Sequence, residues 1–141
     1  MPALTTLPAR TLSRAIREGE ISCTELMIAV LQQIDRLNPS LNAIVNQLPH
    51  DQCLSLAAEA DHALSNGQYR GWLHGIPFAV KDLSHAAGFA TTYGSPLFRD
   101  FAPARDDPHV ARFERRAPSS LARPMFPSGA WGGTLKMRCL G

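Results

Sequence analysis

One short apolar run, from Ile76 to Val80, constrains the fold of this chain more than any other feature. The run is too short for a stable helix, and its lack of polar alternation is typical of a strand that is buried on both faces. Helix signals precede it, interrupted by one further strand pattern. The order helix, helix, strand, helix, strand predicts an α/β fold.

The first two helices have recognisable ends. Thr11 can cap a first short helix, and Gly19 ends it because glycine readily takes the left-handed conformation. Ser22 and Glu25 form a capping box, which predicts the start of a second helix. Its apolar side chains recur at helical spacing until Asn38-Pro39, where we expect the helix to stop.

The elements after these helices are shorter. Residues 41–46 alternate between the two faces of an extended chain and predict a short strand. An Ala-rich helix then begins at Asp51 and is closed by Gly67. From Ala86 the chain has the glycines and prolines of a loop, and a further helix is expected near Asp107.

Lys81-Asp82 directly follows the apolar run. The carboxyl ends of strands are where α/β sheets carry their chemistry. A lysine that loses solvation there favours its neutral amine, which is the form that can act as a base. The alternative is a lysine that marks the end of the strand and extends its amine into water, and position alone favours this alternative.

Composition excludes several classes of protein. Apolar residues make up 45% of the chain and charged residues 18%, which is ordinary for a globular protein. A formal net charge of +2 is too small to indicate a nucleic acid or a membrane as a partner. No stretch approaches the ~20 apolar residues of a membrane helix, and the first residues lack the apolar block of a signal peptide. We therefore expect a cytoplasmic protein.

Cysteines and histidines are few and widely separated. Three cysteines, an odd number, fit neither a disulfide framework nor a zinc ligand set, and no two histidines have metal-binding spacing. We predict no metal, no cofactor, and surface or capping roles for these side chains. They are Cys23, Cys53, Cys139, His50, His62, His74, His85 and His109.

The strand and its lysine belong to a longer motif. Leu73-His74-Gly75-Ile76-Pro77-Phe78-Ala79-Val80-Lys81-Asp82 resembles the opening motif of the amidase-signature family. The resemblance covers residues 8–113 and implies the amino-terminal portion of the amidase-signature fold, a mixed sheet flanked by helices, here incomplete. Further residues that stand where the family has them are Ala87-Gly88, Thr91-Thr92, Gly94-Ser95-Pro96 and Asp106.

Members of this family hydrolyse amide bonds with a Ser–cis-Ser–Lys triad. The resemblance assigns the lysine of the triad to Lys81, which would take a proton through a serine on a cis peptide bond and so activate the nucleophilic serine. The implied substrates are small-molecule amides, fatty amides, or glutamine during the charging of transfer RNA. No direct contact with nucleic acid or membrane is expected, and the oligomeric state is left open.

Both serines of that triad are absent from this chain. The family has them in a Gly/Ser-rich region well downstream of its Lys-Asp pair. Ser119-Ser120 lacks flanking glycines, and neither Ser84 nor Ser95 matches a serine position of the motif. Since only the lysine is retained, we expect the chain to be inactive by itself.

The sequence changes character near Arg116. Residues 114–141 are rich in proline and glycine and have no apolar face, which predicts a disordered tail after a partial domain over residues 1–113. The family continues here with Gly-Lys-Thr-Asn-(Met/Val)-Pro-Glu. When the codons of Arg116 to Gly141 are read one base out of frame, the allowed codon choices include the run Gly-Lys-Thr-Asn-Val-Pro-Glu. The shifted codon that spans Met125 and Phe126 can encode only valine. We interpret the tail as the product of a frameshift near Arg116.

The chain is thus interpreted as the truncated remnant of an amidase gene, and three alternatives stay open. The shift can be a sequencing error, so that the real protein is a complete hydrolase. The tail can be a natural Pro/Gly-rich segment. The chain can also be a non-catalytic binding module that pairs with a full-length amidase through the helices of residues 22–66.

Overall fold

Helices form most of the computed structural model, which describes residues 3–44, 46–116 and 136–139. In the residues that the structure describes, three helices precede the first strand and another follows it. Short 3-10 turns lie at Leu4–Thr6 and Pro96–Phe98. The elements are α1 (Ala9–Glu18), α2 (Cys23–Leu41), α3 (His50–Ser65), β1 (Pro77–Val80), α4 (Pro108–Arg116) and β2 (Lys136–Cys139).

Helix α1 begins two residues before the predicted cap at Thr11. Pro8 holds the N-cap position, and its carbonyl accepts hydrogen bonds from the amides of Thr11 and Leu12. Proline suits this place because its backbone is already restrained and a helix start needs no donor from it. Gly19 ends the helix with a φ of 72°, as predicted.

Helix α2 begins with the predicted capping box. The Ser22 hydroxyl accepts the Glu25 amide at 3.0 Å, and a Glu25 carboxylate oxygen accepts the Ser22 amide at 2.8 Å. The predicted stop at Asn38-Pro39 is wrong, since the helix continues through Pro39 to Leu41. Pro39 supplies no backbone donor, yet it lies within three residues of the helix end, so only the last turn of α2 lacks a hydrogen bond there.

The strand predicted over residues 41–46 is also wrong in the part that the structure describes. Leu41 is still helical, Asn42 takes the left-handed conformation, and the next two residues are irregular; Val45 lies outside the described residues. The Asn38 side chain accepts the Ile44 amide at 2.7 Å and donates to the Ile44 carbonyl. These bonds satisfy the backbone groups that a partner strand would otherwise have to satisfy.

The principal core lies between α1, α2 and α3. Helix α3 contributes small side chains, Ala57 and Ala60, so that the larger Leu26 and Met27 of α2 can approach closely. Ile16 of α1 is completely buried against them. Each of these large side chains contributes about 1.5–3 kcal/mol of burial free energy. Helix α3 starts one residue before the predicted Asp51 and ends as predicted, just before Gly67.

Strand β1 forms within the predicted apolar run, but it is less buried than expected. Ile76 just before the strand and Val80 at its end are buried, while residues 77–79 are half-buried. Phe78 packs against Phe113 of α4, with ring centroids 4.9 Å apart. The strand pairs antiparallel with β2, with Pro77 opposite Cys139 and Val80 opposite Lys136. In the part of the chain that the structure describes, the sheet has two strands and the predicted mixed sheet is not shown.

The segment predicted to be a disordered tail, residues 114–141, is described only in part. Helix α4 begins near the predicted position and runs to Arg116, beyond the predicted domain boundary at residue 113. Residues 136–139 form β2, which differs from the prediction because their backbone pairs with β1. Residues 117–135, 140 and 141 lie outside the described residues.

Candidate active site

The end of strand β1 places two neighbouring side chains in opposite environments. Lys81 is exposed, whereas Asp82 is completely buried. The two residues open a turn directly after β1, in which the Ser84 amide donates to the Lys81 carbonyl at 3.0 Å. The Lys81 side chain thus lies at the surface of the described structure, next to a buried carboxylate.

Asp82 fastens the following loop to the end of the strand. Its carboxylate accepts the backbone amide of Thr92, at 3.1 and 3.2 Å from the two oxygens, and also the Thr92 hydroxyl. Thr91 is buried beside it, and its amide donates to the Phe101 carbonyl at 2.7 Å. A buried carboxylate is costly unless its oxygens are satisfied, so these bonds hold the backbone that carries Lys81.

Two further carboxylates fix the same loop from the start of α4. Asp106 accepts the Ala87 amide at 2.7 Å, and Asp107 accepts the His85 amide at 2.8 Å. The Asp107 amide in turn donates to the His85 carbonyl at 3.0 Å. Thr92 and Asp106, two residues that stand where the family has them, therefore attach the loop beyond Lys81.

The loop also carries a partly exposed group of aromatic rings. Tyr93 has a φ of 51°, which is unusual for a residue with a bulky side chain. Its hydroxyl bonds to His85 Nε2, and its ring lies edge-on to Phe98 with centroids 5.3 Å apart. The Phe101 ring is 5.6 Å from that of His85. These contacts hold the left-handed turn that follows Thr92.

His74 of the motif is buried, so the surface or capping role predicted for it is wrong. The Arg70 amide donates to His74 Nδ1 at 3.3 Å, which leaves the proton on Nε2 to be donated to the Ala60 carbonyl at 3.0 Å. Burial lowers the pKa of His74, and the charge of Arg70 adds to this, although the Ala60 carbonyl opposes it. His74 thus joins β1 to α3 as a neutral imidazole.

Gly75 of the motif is required by contact with α2. It has a φ of 70°, and a β-carbon at this position would lie 2.1 Å from Cys23 Sγ. Cys23 is buried at the start of α2, where burial and the nearby charge of Asp61 raise the pKa of its thiol. Cys23 and Cys53 are both buried, so the surface or capping role predicted for them is also wrong. The His-Gly pair of the motif therefore has a packing role.

Asp61 is important to the start of α2 although no local sequence pattern indicates it. From α3 it accepts the Cys23 amide at 2.7 Å, the Thr24 amide at 3.1 Å and the Thr24 hydroxyl at 2.6 Å, and so caps α2 from another helix. Although burial raises its pKa, the bonds from Thr24 and Cys23 together lower the pKa below its ordinary value. No local spacing signals a cap whose partners are 38 residues apart.

The serines considered above do not form a triad with Lys81 in the described structure. Ser84 Oγ lies 3.0 Å from His109 Nε2, a pair that no sequence spacing indicated. The Ser95 hydroxyl accepts the Leu97 amide at the start of a 3-10 turn. Ser119 and Ser120 lie outside the described residues.

Within residues 3–44, 46–116 and 136–139, no group of three or more His, Cys, Asp or Glu side chains could hold a metal ion. No helix in the same ranges is both long and apolar enough to cross a membrane.

The helical layer, the strand that ends in Lys81-Asp82 and the loop fastened behind it define the amino-terminal part of an amidase-signature protein. The family model described as Amidase matches residues 25–139, so the chain belongs to this family. The matched range includes residues on both sides of Arg116.

Similar proteins are enzymes that are named for amide chemistry. The chain is 33% identical over 129 residues to an acylamidase of Rhodococcus erythropolis, covering 91% of this chain and 27% of the relative. It is 36% identical over 132 residues to a glutamyl-tRNA(Gln) amidotransferase component of Granulibacter bethesdensis, covering 94% of this chain and 26% of the relative.

A solved structure gives the same assignment. The native peptide amidase of Stenotrophomonas maltophilia matches with a TM-score of 0.69 and 37% identity, over 79% of this chain and 23% of that chain. The chain thus spans about a quarter of the length of the relatives that it matches.

Proposed function

We propose that the gene of this chain derives from an amidase that hydrolyses carbon–nitrogen bonds of small amides in the cytoplasm, and that Lys81 is its catalytic base. The observation that supports this most is the attachment at the end of β1. Asp82 is buried and bound to Thr92, so the backbone holds Lys81 at the strand end while its amine stays exposed. An exposed amine is available to further parts of an amidase fold.

The proposed reaction follows the triad that the family resemblance implies. The neutral amine of Lys81 takes a proton through a cis-peptide serine from the nucleophilic serine, whose oxygen then attacks the amide carbonyl. The same proton passes to the departing amine as the carbon–nitrogen bond breaks. Water then releases the acyl group. Both serines lie outside this chain's matching residues, so we expect the chain alone to be inactive.

We further propose that a base was lost or gained near Arg116. What supports this is the out-of-frame reading of Arg116 to Gly141, which permits the run that the family has next. Because the family match includes residues on both sides of Arg116, its range does not mark the position of a shift. The gene sequence decides the question directly.

The experiment is to resequence the gene across the codons for Val110 to Ser120 and beyond Gly141. An altered base followed by a Gly/Ser-rich reading frame gives a complete amidase. We expect that protein to hydrolyse simple carboxamides and its Lys81→Ala variant to lose this activity. The purified 141-residue chain should show no hydrolysis. Hydrolysis by the 141-residue chain, or full activity of the restored Lys81→Ala protein, would contradict the proposal.

The alternative of a binding module that uses the helices of residues 22–66 has less support. The apolar faces of α2 and α3 pack on each other in the principal core, with Leu26, Met27 and Ala57 buried between them. These faces are therefore occupied. Co-purification of the chain with a full-length amidase would favour this alternative.

A further inference from the structure

An open groove of about 650 Å³ lies between helix α1 and the turn that follows α3. One wall carries Arg10, Arg14 and Arg17, and the other carries Tyr69 and Trp72. None of these residues belongs to the loop around Lys81. Arginine, tyrosine and tryptophan are the side chains most enriched where protein interfaces gain their binding energy.

The two walls are connected to each other and to the core. Ser13 Oγ and the Tyr69 hydroxyl are 3.5 Å apart across the floor of the groove. The Tyr69 ring packs against His74, with centroids 5.6 Å apart, and His74 is bonded to Ala60 of α3. Tyr69 of the aromatic wall is therefore held in place before any ligand arrives, which reduces the entropy cost of binding.

The charge of the groove is positive. Arg14 and Arg17 both lie near the single carboxylate of Glu18, at 3.9 and 3.4 Å. Within the residues that the structure describes, Arg10 has no ion pair. Trp72 is 55% exposed, so a large apolar surface lies beside three guanidinium groups that the carboxylate of Glu18 neutralises only in part. A complementary ligand must supply carboxylates together with an apolar side chain.

We propose that this groove binds an extended acidic peptide segment of a partner protein. Arginines at positions 10, 14 and 17 are about one helical turn apart, roughly 5.4 Å along α1. Alternate residues of an extended peptide are roughly 6.6 Å apart and lie on one side. Carboxylates at alternate positions can thus meet successive guanidinium groups, and the intervening apolar side chains can reach Trp72.

The test is a titration of the full chain into the fluorescein-labelled peptide Glu-Leu-Glu-Leu-Glu, followed by fluorescence anisotropy. The matched peptide Gln-Leu-Gln-Leu-Gln tests the need for charge. We expect the double variant Arg10→Glu/Arg17→Glu to bind about tenfold more weakly or worse. The control Arg36→Glu, an exposed arginine on α2 outside the groove, should bind within about twofold of the parent.

Far-ultraviolet circular dichroism of each variant checks that α1 is retained. Should the double variant lose helix content, Trp72→Ala provides the second variant, because it alters the opposite wall, and it should also weaken binding. Equal weakening by Arg36→Glu, equal binding of the glutamine peptide, or no binding by the parent chain would overturn the proposal. Tighter binding of oligothymidylate than of the acidic peptide would also overturn it, since the groove would then serve nucleic acid.

Discussion

Gly75 and Cys23 touch so closely that a β-carbon on residue 75 would lie 2.1 Å from the Cys23 sulfur and 2.8 Å from its β-carbon. The contact joins the segment before β1, which carries Gly75, to the first residue of α2, which is Cys23. The Cys23 side chain has little room to move away from residue 75, because it is completely buried. The contact therefore explains why the chain has glycine at this position.

We expect Gly75→Ala to destabilise the protein. Overpacking costs about 1–3 kcal/mol, and the left-handed backbone adds about 1–2 kcal/mol for a residue with a β-carbon. Gly67→Ala is the matched control, since Gly67 has a similar φ of 75° but nothing within 4 Å of a β-carbon. Urea unfolding of both variants separates the packing cost from the backbone cost. Equal losses in the two variants would mean that the Cys23 contact is unimportant.

The buried His74 should make stability depend on pH. Its folded-state pKa lies below the unfolded value of about 6.5. As pH falls below about 6.5, the unfolded chain binds a proton that the folded chain does not, so stability decreases until pH reaches the folded pKa. We expect the free energy of unfolding to fall between pH 7.5 and pH 5, and His74→Gln to reduce this fall. An unchanged slope in the variant would exclude His74 as its source.

Asp61 should stabilise α2 although it belongs to α3. Asp61→Ala leaves the amides of Cys23 and Thr24 without this acceptor, and we expect a loss of about 1–2 kcal/mol at neutral pH. Because the folded pKa is lowered, this contribution is present above the unfolded pKa and is lost as pH falls through the folded value. Urea unfolding at pH 7 and pH 3 measures both effects. Glu59→Ala, an exposed carboxylate on the same helix, should change little at either pH.

Local signals in the sequence predicted the elements that depend on local bonds. The capping box at Ser22 and the glycine that ends α1 lie next to the backbone groups that they satisfy, so their effect can be deduced from spacing alone. The strand expected over residues 41–46 failed because Asn38 binds Ile44 and replaces the partner that the strand needed. The alternation of polar and apolar residues gives no sign of a side-chain hydrogen bond that competes with strand pairing.

The position of the candidate site along the chain was predicted, but the burial of its side chains was not. The apolar run correctly indicated a strand that ends before Lys81, because a run without polar alternation is a property of a few consecutive residues. The burial of Asp82 and His74 depends on Thr92 and Ala60, which are ten and fourteen residues away along the chain. Contacts of that kind arise from tertiary packing, and no periodic pattern of residues along one sequence indicates them.

Thr92 offers a direct test of the loop attachment. Thr92→Val keeps the shape of the side chain but removes the hydroxyl that donates to Asp82, leaving a buried carboxylate less well satisfied. We expect a loss of about 1–3 kcal/mol and faster amide hydrogen exchange over residues 83–107. Thr92→Ser retains the hydroxyl and should stay closer to the parent protein. Equal exchange in the two variants would show that the hydroxyl does not hold the loop.

Lys81 should behave differently from every other motif residue, because it is exposed. Substitution of an exposed side chain that does not form part of the core changes stability by less than about 0.5 kcal/mol. We therefore expect Lys81→Ala to unfold at the same urea concentration as the parent chain, whereas Asp82→Ala, which removes a buried and hydrogen-bonded carboxylate, should be clearly destabilised. A marked loss of stability in Lys81→Ala would mean that the lysine has a structural role. Unchanged stability, together with lost hydrolysis in a restored full-length enzyme, is the combination that a catalytic base requires.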